Sequence, residues 1–158
     1  MDEFSVKQIG VVRVDETGFY VKLRPEFIPA LEGLDGYAYL QMLWWFDGCD
    51  NARSRAQLTE LKPYKKGPEV LGVFATRSPQ RPNPIALSSV CVMAIEQEEG
   101  IIRLAYTDAN DGSPVLDIKP YIPSLDRVAR PTMPGWCAHW PDCVEVSGGF
   151  DWASEFNF

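Results

Sequence analysis

The sequence is poor in the groups and patterns on which the commonest enzyme classes depend. It contains a single histidine, His139, so a Ser-His-Asp or Cys-His arrangement has one candidate base and no spacing that supports it. Glycine-rich phosphate loops of the G-x-G-x-x-G and G-x-x-x-x-G-K types are missing. This absence excludes a Rossmann cofactor fold and a P-loop nucleotide site.

Long hydrophobic runs are missing as well. The most hydrophobic stretch, Tyr37–Phe46, is far shorter than the ~20 residues that a membrane helix needs. The opening Met1–Ser5 is acidic and lacks the basic-then-apolar pattern of a signal peptide, so we expect a cytoplasmic protein with no membrane partner. In that compartment the four cysteines are expected to be reduced thiols.

Metal ligands are scarce. Cys137, His139 and Cys143 bring two thiols and an imidazole within seven residues, which is a conceivable three-ligand zinc set. The C-x-x-C spacing and an obvious fourth ligand are both missing. We therefore expect ordinary packing for these side chains and no metal site.

Charge is unevenly distributed along the chain. The formal charge is −7, which argues against nonspecific binding to nucleic acid or to anionic lipid. Residues 53–81 alone carry a balance of +5, which leaves −12 for the remainder. The basic residues of this segment are Arg53, Arg55, Lys62, Lys65, Lys66, Arg77 and Arg81. Such a segment can receive a polyanion, although a solvated loop is the usual meaning of a charge run.

Short β-rich runs separated by turn residues dominate the chain. At 158 residues the length suits one domain, 1–158, with a real hydrophobic core. We predict hairpins from Val6–Val14 with Phe19–Leu23 and from Ile85–Glu96 with Ile101–Tyr106, and at most one helical turn in Pro25–Leu34. Tyr37–Phe46 is expected to be a strand that is buried on both faces or lines a barrel. This pattern predicts an all-β barrel or sandwich with long loops and little helix.

The segment Gly72–Ile85 is the part that packing does not explain. Val70–Ala75 is expected to be a buried strand, and Pro79, Pro82 and Pro84 then stiffen the following loop. The loop holds Arg77, Ser78, Arg81 and Asn83 in place with little entropy left to lose on binding. In the alternative interpretation, the two arginines cap carbonyls or pair with surface carboxylates.

Two motifs carry a family resemblance. Gly72–Ile85 and, downstream, Asp111–Pro123 closely resemble the signatures of the TsaA-like family, whose best-known members are the TrmO transfer-RNA methyltransferases. The resemblance covers about residues 6–130 and implies a small β-barrel, with an aromatic tail at about 144–158. It also implies S-adenosyl-L-methionine as cofactor, which a chain without a Rossmann motif can still bind.

The resemblance and the residue types together suggest a cofactor site. Its expected members are Asp47, Gly48, Phe74, Arg77, Ser78, Arg81, Asn83, Ser89, Asp117, Ile118, Lys119 and Pro120. Arg77 or Arg81 suits the cofactor carboxylate, and Asp117 suits its amine or ribose hydroxyls.

Further roles follow from chemistry. Backbone groups of Ile118 and Pro120 suit the adenine edge, while Phe74, Tyr121 and Trp45 suit flat walls. Asp117 and Tyr121 are the expected catalytic residues. The alternatives are an Asp117–Lys119 ion pair that closes the barrel end, and core packing for Tyr121 and Trp45.

Several positions depart from the family pattern. A Pro-Arg-Gln element after the first strand is shortened to Val21–Pro25, Phe-Ser-His-Leu is replaced by Tyr37–Leu40, and a His-Gln pair by Asp47-Gly48. Ala86 stands where glycine is usual, and we expect a short form without the C-terminal extension of the bacterial enzymes. These departures leave the methyl acceptor open.

The acceptor that the resemblance implies is threonylcarbamoyladenosine at position 37 of the transfer-RNA anticodon stem-loop. Phosphate contacts are then expected from Arg53, Arg55, Lys62, Lys65 and Lys66. A small-molecule methyltransferase and a non-catalytic cofactor-binding module remain as alternatives.

The family resemblance also implies a homodimer. The tail supplies surplus aromatic surface through Phe150, Trp152, Phe156 and Phe158. We expect these rings to dock across a partner subunit or over the region left uncovered by the shortened Val21–Pro25. Packing on the same barrel is the alternative.

Overall fold

The computed structural model describes residues 4–158. Met1–Glu3, on which the prediction of a missing signal peptide partly rests, lie outside the described residues. Within 4–158, no helix combines the length and the apolar character required to cross a bilayer.

Residues 4–158 fold into eight strands joined by turns, loops and short helical segments. The strands are β1 (Gly10–Asp15), β2 (Gly18–Leu23), β3 (Tyr39–Trp45), β4 (Thr59–Leu61), β5 (Val70–Gly72), β6 (Ile85–Glu96), β7 (Ile101–Leu104) and β8 (Pro114–Pro120). The α-helices are single turns, α1 (Ala52–Arg55), α2 (Pro123–Asp126) and α3 (Val144–Ser147). Turns of 3-10 helix span Pro25–Leu31, Asp47–Cys49, Val73–Ala75, Gly135–Cys137 and Trp152–Ser154.

Six of the strands form a closed antiparallel barrel in the order β1-β2-β7-β6-β3-β8. Closure comes from β8 returning to β1, where Gly10 faces Val115 and Val11 faces Pro114. The two remaining strands, β4 and β5, form a separate hairpin beside the barrel. The predicted small β-barrel is therefore confirmed, and both predicted hairpins are present.

Buried and less buried side chains alternate along β3, and the buried ones contribute to the core inside the barrel. On β3 the side chains of Leu40, Met42 and Trp44 are buried, whereas those between them are only half-buried. The strand therefore lines the barrel, which was one of the two expectations for it, and is not buried on both faces. Aromatic and aliphatic residues also occupy its outward positions, so composition hid the period of two.

Three further predictions need correction. Val70–Ala75 is not one buried strand: β5 ends at Gly72, a 3-10 turn follows, and only Val73 is fully buried there. Pro25–Leu31 forms seven residues of 3-10 helix, longer than the single helical turn expected. Strand β8 was not predicted, because a proline at each end made its sequence resemble a turn-rich motif.

A register shift in β8 decides which of its residues point outward. Leu43 of β3 faces Asp117, but the next residue, Trp44, faces Val115. This irregularity turns Val115 and Ile118 toward the core and Asp117 toward the outside. The carboxylate of the second motif is thereby placed on the barrel surface.

At Gly10 in β1 the backbone of β2 leaves no room for a side chain. A Cβ at this position would lie 2.5 Å from the carbonyl oxygen of Lys22, which is held in the β1–β2 ladder. We expect Gly10→Ala to lower the free energy of unfolding by about 1–3 kcal/mol, because backbone atoms must shift to admit the methyl group. Denaturant unfolding measures this change.

Gly135→Ala is the matched control, since a Cβ there would meet no atom within 4 Å. Its unfolding free energy should stay within about 0.5 kcal/mol of that of the unsubstituted chain. Equal stability of the two variants would contradict the account of Gly10.

Candidate functional site

Strands β6, β3 and β8 present a shared outer face on the barrel. Cross-strand pairing forms one row from Leu87, Leu43 and Asp117 and a second row from Ser89, Gln41 and Lys119. Next to the second row, Tyr39 pairs with Cys91, and the backbone carbonyl of Tyr39 accepts a hydrogen bond from the backbone N–H of Tyr121 at 3.0 Å. The fold thus brings together Ser89, Asp117, Lys119 and Tyr121, four of the residues predicted from sequence.

Asp117 and Lys119 form an ion pair on this face. The Lys119 Nζ lies 2.6 Å from Asp117 Oδ2, and both side chains remain about half exposed, at 63% and 47%. The hydrogen bond to Asp117 raises the pKa of Lys119. The ion pair expected in the alternative interpretation is therefore present, and its exposure leaves both groups accessible to a ligand.

Aromatic side chains border the face at both ends. The rings of Tyr39 and Tyr121 meet edge to face, with their centroids 6.5 Å apart. Burial is the main cause that raises the pKa of Tyr39, and the nearby Cys91 raises it further. Trp45 lies at the opposite end, paired with Ile85. Tyr121 and Trp45 are half-buried outward residues and do not belong to the barrel core.

Residues 76–84, here called the motif loop, are organised around Arg81. Its Nη2 donates to the carbonyls of Val73 at 3.0 Å and Thr76 at 2.7 Å, and its Nε donates to the carbonyl of Ser78 at 2.7 Å. Carbonyl capping by an arginine was one of the two interpretations of this loop. Arg81 therefore holds the loop together from inside, and its guanidinium is already engaged.

Arg77 connects the motif loop to the outer face. Its Nη2 donates to the carbonyl of Leu87, which lies in the same row as Asp117. Two strand spacings separate Leu87 from Asp117, a distance of about 10 Å. The fold thus brings an exposed cation and a half-exposed carboxylate to the same row of three strands.

The other residues predicted to contact the cofactor lie within the motif loop or on segments near it. Ser78 Oγ lies 2.9 Å from Gln80 Oε1, and the Asn83 carbonyl accepts the N–H of Ile85. Phe74 is 86% exposed, so its ring is not enclosed by a wall of this chain. Asp47 and Gly48 lie in the 3-10 turn directly after β3.

The basic segment is more internally paired than its sequence suggests. Arg55 contacts Asp50, Lys62 contacts Glu69 at 2.7 Å, Lys66 contacts Glu155 at 3.1 Å, and the Lys65 Nζ donates to the carbonyl of Ala153 at 2.9 Å. Within residues 4–158, Arg53 is exposed and makes no ion pair. Four of the five residues expected to bind phosphates therefore already have partners inside the chain.

The C-terminal rings form an aromatic module on the loop at residues 62–67. We define the module as Tyr64, Trp136, Trp140, Phe150, Trp152, Phe156 and Phe158, whose neighbouring ring centroids lie 4.8–5.8 Å apart. A backbone bridge pairs Tyr64 with Phe156. Phe150, Trp152 and Phe156 therefore pack on a different part of their own chain from the expected Val21–Pro25 region, and docking across a partner subunit remains a prediction. Phe158 stacks on Phe156 but remains 92% exposed.

A buried carboxylate lies at the centre of this module. Glu155 accepts hydrogen bonds from Lys66 Nζ at 3.1 Å and Trp140 Nε1 at 3.2 Å, and its Oε1 lies 2.8 Å from His139 Nε2. These partners, His139 foremost, lower the pKa of Glu155 from 4.5 to about 2. No signal in the sequence identified Glu155, since its partners lie 15 to 89 positions away.

The conceivable zinc ligands do not converge. Cys137 is buried and donates to the carbonyl of Pro134, His139 contacts Glu155, and Cys143 is exposed. Residues 4–158 contain no cluster of three side chains that can hold a metal ion.

The aromatic module should loosen in acid. The folded-state pKa of Glu155 is depressed, so its contribution to stability is present above pH 4.5 and is lost as the pH falls toward about 2. We expect tryptophan fluorescence to report exposure of the module in this range, and Glu155→Gln to remove that part of the pH dependence. Identical acid transitions for the variant and the unsubstituted chain would contradict this assignment.

Comparisons with known proteins are consistent with the geometry. The family model described as tRNA-methyltransferase O N-terminal domain matches residues 8–127. A probable S-adenosyl-L-methionine-binding protein of Pyrococcus abyssi is 38% identical over 116 residues, which cover 73% of this chain and 58% of that protein. A tRNA (adenine(37)-N6)-methyltransferase of Eikenella corrodens is 44% identical over 97 residues, which cover 60% of this chain and 52% of that enzyme.

A solved structure has the same fold. The crystal structure of TrmO from Pseudomonas aeruginosa superposes with a TM-score of 0.62 at 31% identity, covering 83% of this chain and 62% of that one. The chain thus spans little more than half the length of several relatives that it matches. With the motifs, the barrel and the family model in agreement over most of its length, the chain belongs to the tRNA-methyltransferase O N-terminal domain family.

Proposed function

We propose that this chain binds S-adenosyl-L-methionine and methylates transfer RNA, at N6 of threonylcarbamoyladenosine 37. The observation that carries the proposal is the placement of both family motifs on one surface, the outer face of β6, β3 and β8 with the motif loop beside it. When bound, the cofactor supplies an activated methyl group. Membership of the family and the names of the relatives from Pyrococcus and Eikenella support this choice.

The residues present fit the proposed cofactor. The accessible Asp117 carboxylate suits an amine or ribose hydroxyls, and the cations of Arg77 and Lys119 suit a carboxylate. Backbone groups at Ile118 and Pro120 suit the adenine edge. The exposed Phe74 ring offers a flat apolar surface beside the loop.

Arg81 has a different part in this site. Because its guanidinium already bonds three carbonyls, it builds the loop whose backbone and side chains, including Ser78 and Asn83, surround the cofactor. Asp47, Gly48 and Ser89 complete the boundary of the site on neighbouring elements.

The chain contributes mainly by positioning and by excluding water, which supply most of the rate in a transfer between two bound groups. Asp117 orients the acceptor or takes the proton that the acceptor nitrogen loses. Tyr121, backed by Tyr39, shields the same end of the face.

The choice of acceptor is supported by charge. Arg53 and Lys65 are exposed and have no carboxylate partner in residues 4–158, so they provide cationic groups for an anticodon stem-loop. Such an acceptor places the protein in the cytoplasm. The alternative is a small-molecule acceptor, favoured by the net charge of −7 and the internal pairing of most basic side chains.

We also propose a homodimer with the site near the subunit interface. Residues 123–135 are exposed throughout and include Leu125 at 80%, Val128 at 71% and Met133 at 43% exposure. Three exposed apolar side chains in one segment favour coverage by a second copy. Light scattering should give twice the mass of one chain, and a monomer at micromolar concentration would refute the dimer.

Calorimetry with S-adenosyl-L-methionine is the first test of the function. We expect a saturable heat of binding, and its absence at millimolar cofactor would refute the proposal. Methyl transfer to bulk transfer RNA and to a metabolite extract then distinguishes the two kinds of acceptor. Binding without transfer to either would identify a non-catalytic module.

A further inference from the structure

The guanidinium of Arg55 joins three separate segments. Its Nε forms an ion pair with Asp50 Oδ1, and its Nη1 donates to the carbonyl of Pro82 at 3.0 Å. The same group lies over the ring of Trp45, 5.6 Å from the centroid. One side chain on α1 therefore contacts the end of β3, the segment after the 3-10 turn, and the motif loop.

The partners of Arg55 are also tied to one another. The Trp45 Nε1 donates to Asp50 Oδ2 at 3.1 Å, and the Asn51 side chain accepts the N–H of Ser54 and so starts α1. In addition to its hydrogen bond to Pro82, the guanidinium is thus fixed by the Asp50 carboxylate and the Trp45 ring. Such a fixed donor limits the positions that the loop carbonyl can adopt.

The motif loop has one set of bonds within itself and another to its surroundings. Arg81 supplies the bonds within the loop. Two other bonds fix the loop against residues 46–55: Arg55 donates to the Pro82 carbonyl, and the Phe46 N–H donates to the Pro84 carbonyl at 2.8 Å. Losing Arg55 leaves the internal bonds intact. It removes one of these two contacts between the loop and the segment that contains Asp47 and Gly48.

We propose that Arg55 is a positioning residue for the cofactor loop and not a contact to the phosphates of transfer RNA. The inference rests on the proposed function. It differs from the sequence-based expectation for this residue, because the guanidinium that would meet a phosphate already has a carboxylate, a carbonyl and an indole as partners.

Arg53 and Arg55 form a matched pair for the test because both lie on α1. Within the described chain only the side chain of Arg55 forms an ion pair and a hydrogen bond. We expect Arg55→Gln to raise the Kd for S-adenosyl-L-methionine about tenfold or more, through loss of charge-assisted bonds. The salt dependence of transfer-RNA binding should stay unchanged in this variant. Arg53→Gln should give the opposite result, with cofactor affinity unchanged and the salt slope reduced by about one.

Arg55→Lys tests geometry separately from charge. Lysine can keep the ion pair with Asp50, but its single ammonium lacks the fork that reaches Asp50 and Pro82 together, so we expect an intermediate Kd. A Kd within about twofold of the original for Arg55→Gln, or a reduced salt slope in that variant, would overturn the inference.

Amide exchange of residues 76–84 without cofactor provides an independent measurement. Faster exchange in Arg55→Gln, with the barrel strands unchanged, supports the positioning role. Unchanged exchange in the motif loop overturns it. If the original chain fails to bind S-adenosyl-L-methionine, the proposed function falls, and the exchange result still decides the role of Arg55.

Discussion

Arg81→Ala is expected to weaken binding of S-adenosyl-L-methionine by about 2–5 kcal/mol and to disorder the motif loop. The side chain donates to three carbonyls, those of Val73, Thr76 and Ser78, and a hydrogen bond from a charged donor contributes about 1.5–3 kcal/mol. Without these bonds the loop becomes ordered only on binding, and the entropy lost in ordering it lowers the affinity. Calorimetry measures the affinity, and amide exchange of residues 76–84 measures the order of the loop.

Arg81→Lys is the appropriate control because it keeps the charge and removes the fork of donors. Its affinity should fall between that of Arg81→Ala and the original. The barrel should unfold at an almost unchanged denaturant concentration in both variants, since Arg81 lies outside the hydrophobic core. Cofactor binding by Arg81→Ala at the original affinity would refute this account of the loop.

Trp140→Ala is expected to release the C-terminal segment from the loop at residues 62–67. The indole meets Tyr64, Trp136 and Trp152 at centroid distances of 5.2–5.4 Å, and its Nε1 donates to the buried Glu155. Removing it leaves a cavity in the module and one acceptor of a buried carboxylate without its donor. We expect a loss of about 2–4 kcal/mol from the unfolding free energy of the module.

Denaturant unfolding followed by tryptophan fluorescence measures this loss, and amide exchange locates it. Exchange should accelerate at residues 62–67 and 150–157 and stay constant in the barrel strands. Leu125→Ala is the control, because this side chain is 80% exposed and its truncation should change stability by no more than about 0.5 kcal/mol. Equal stability of the two variants would show that the rings of the module contribute little.

Local properties of the sequence were sufficient for the two hairpins and for the loop. Turn residues and short apolar runs indicated the two hairpins, and three prolines indicated that residues 76–84 form a loop. These features depend on backbone dihedral preferences and on the period of side chains along a strand, which neighbouring residues encode. Residue patterns spaced within a dozen positions also identified the family.

Only the tertiary structure decided which groups meet. The register shift opposite Leu43 turned Asp117 outward, and the partners of Arg55, Arg81 and Glu155 lie on segments that the fold brings together. A long charged side chain reaches acceptors several ångströms away and pairs with whichever group the packing places there. The sequence by itself determined the two hairpins, the motif loop and the family resemblance. The tertiary structure decided the closing strand β8 and the contacts of the charged and aromatic side chains, because those contacts join residues far apart in the chain.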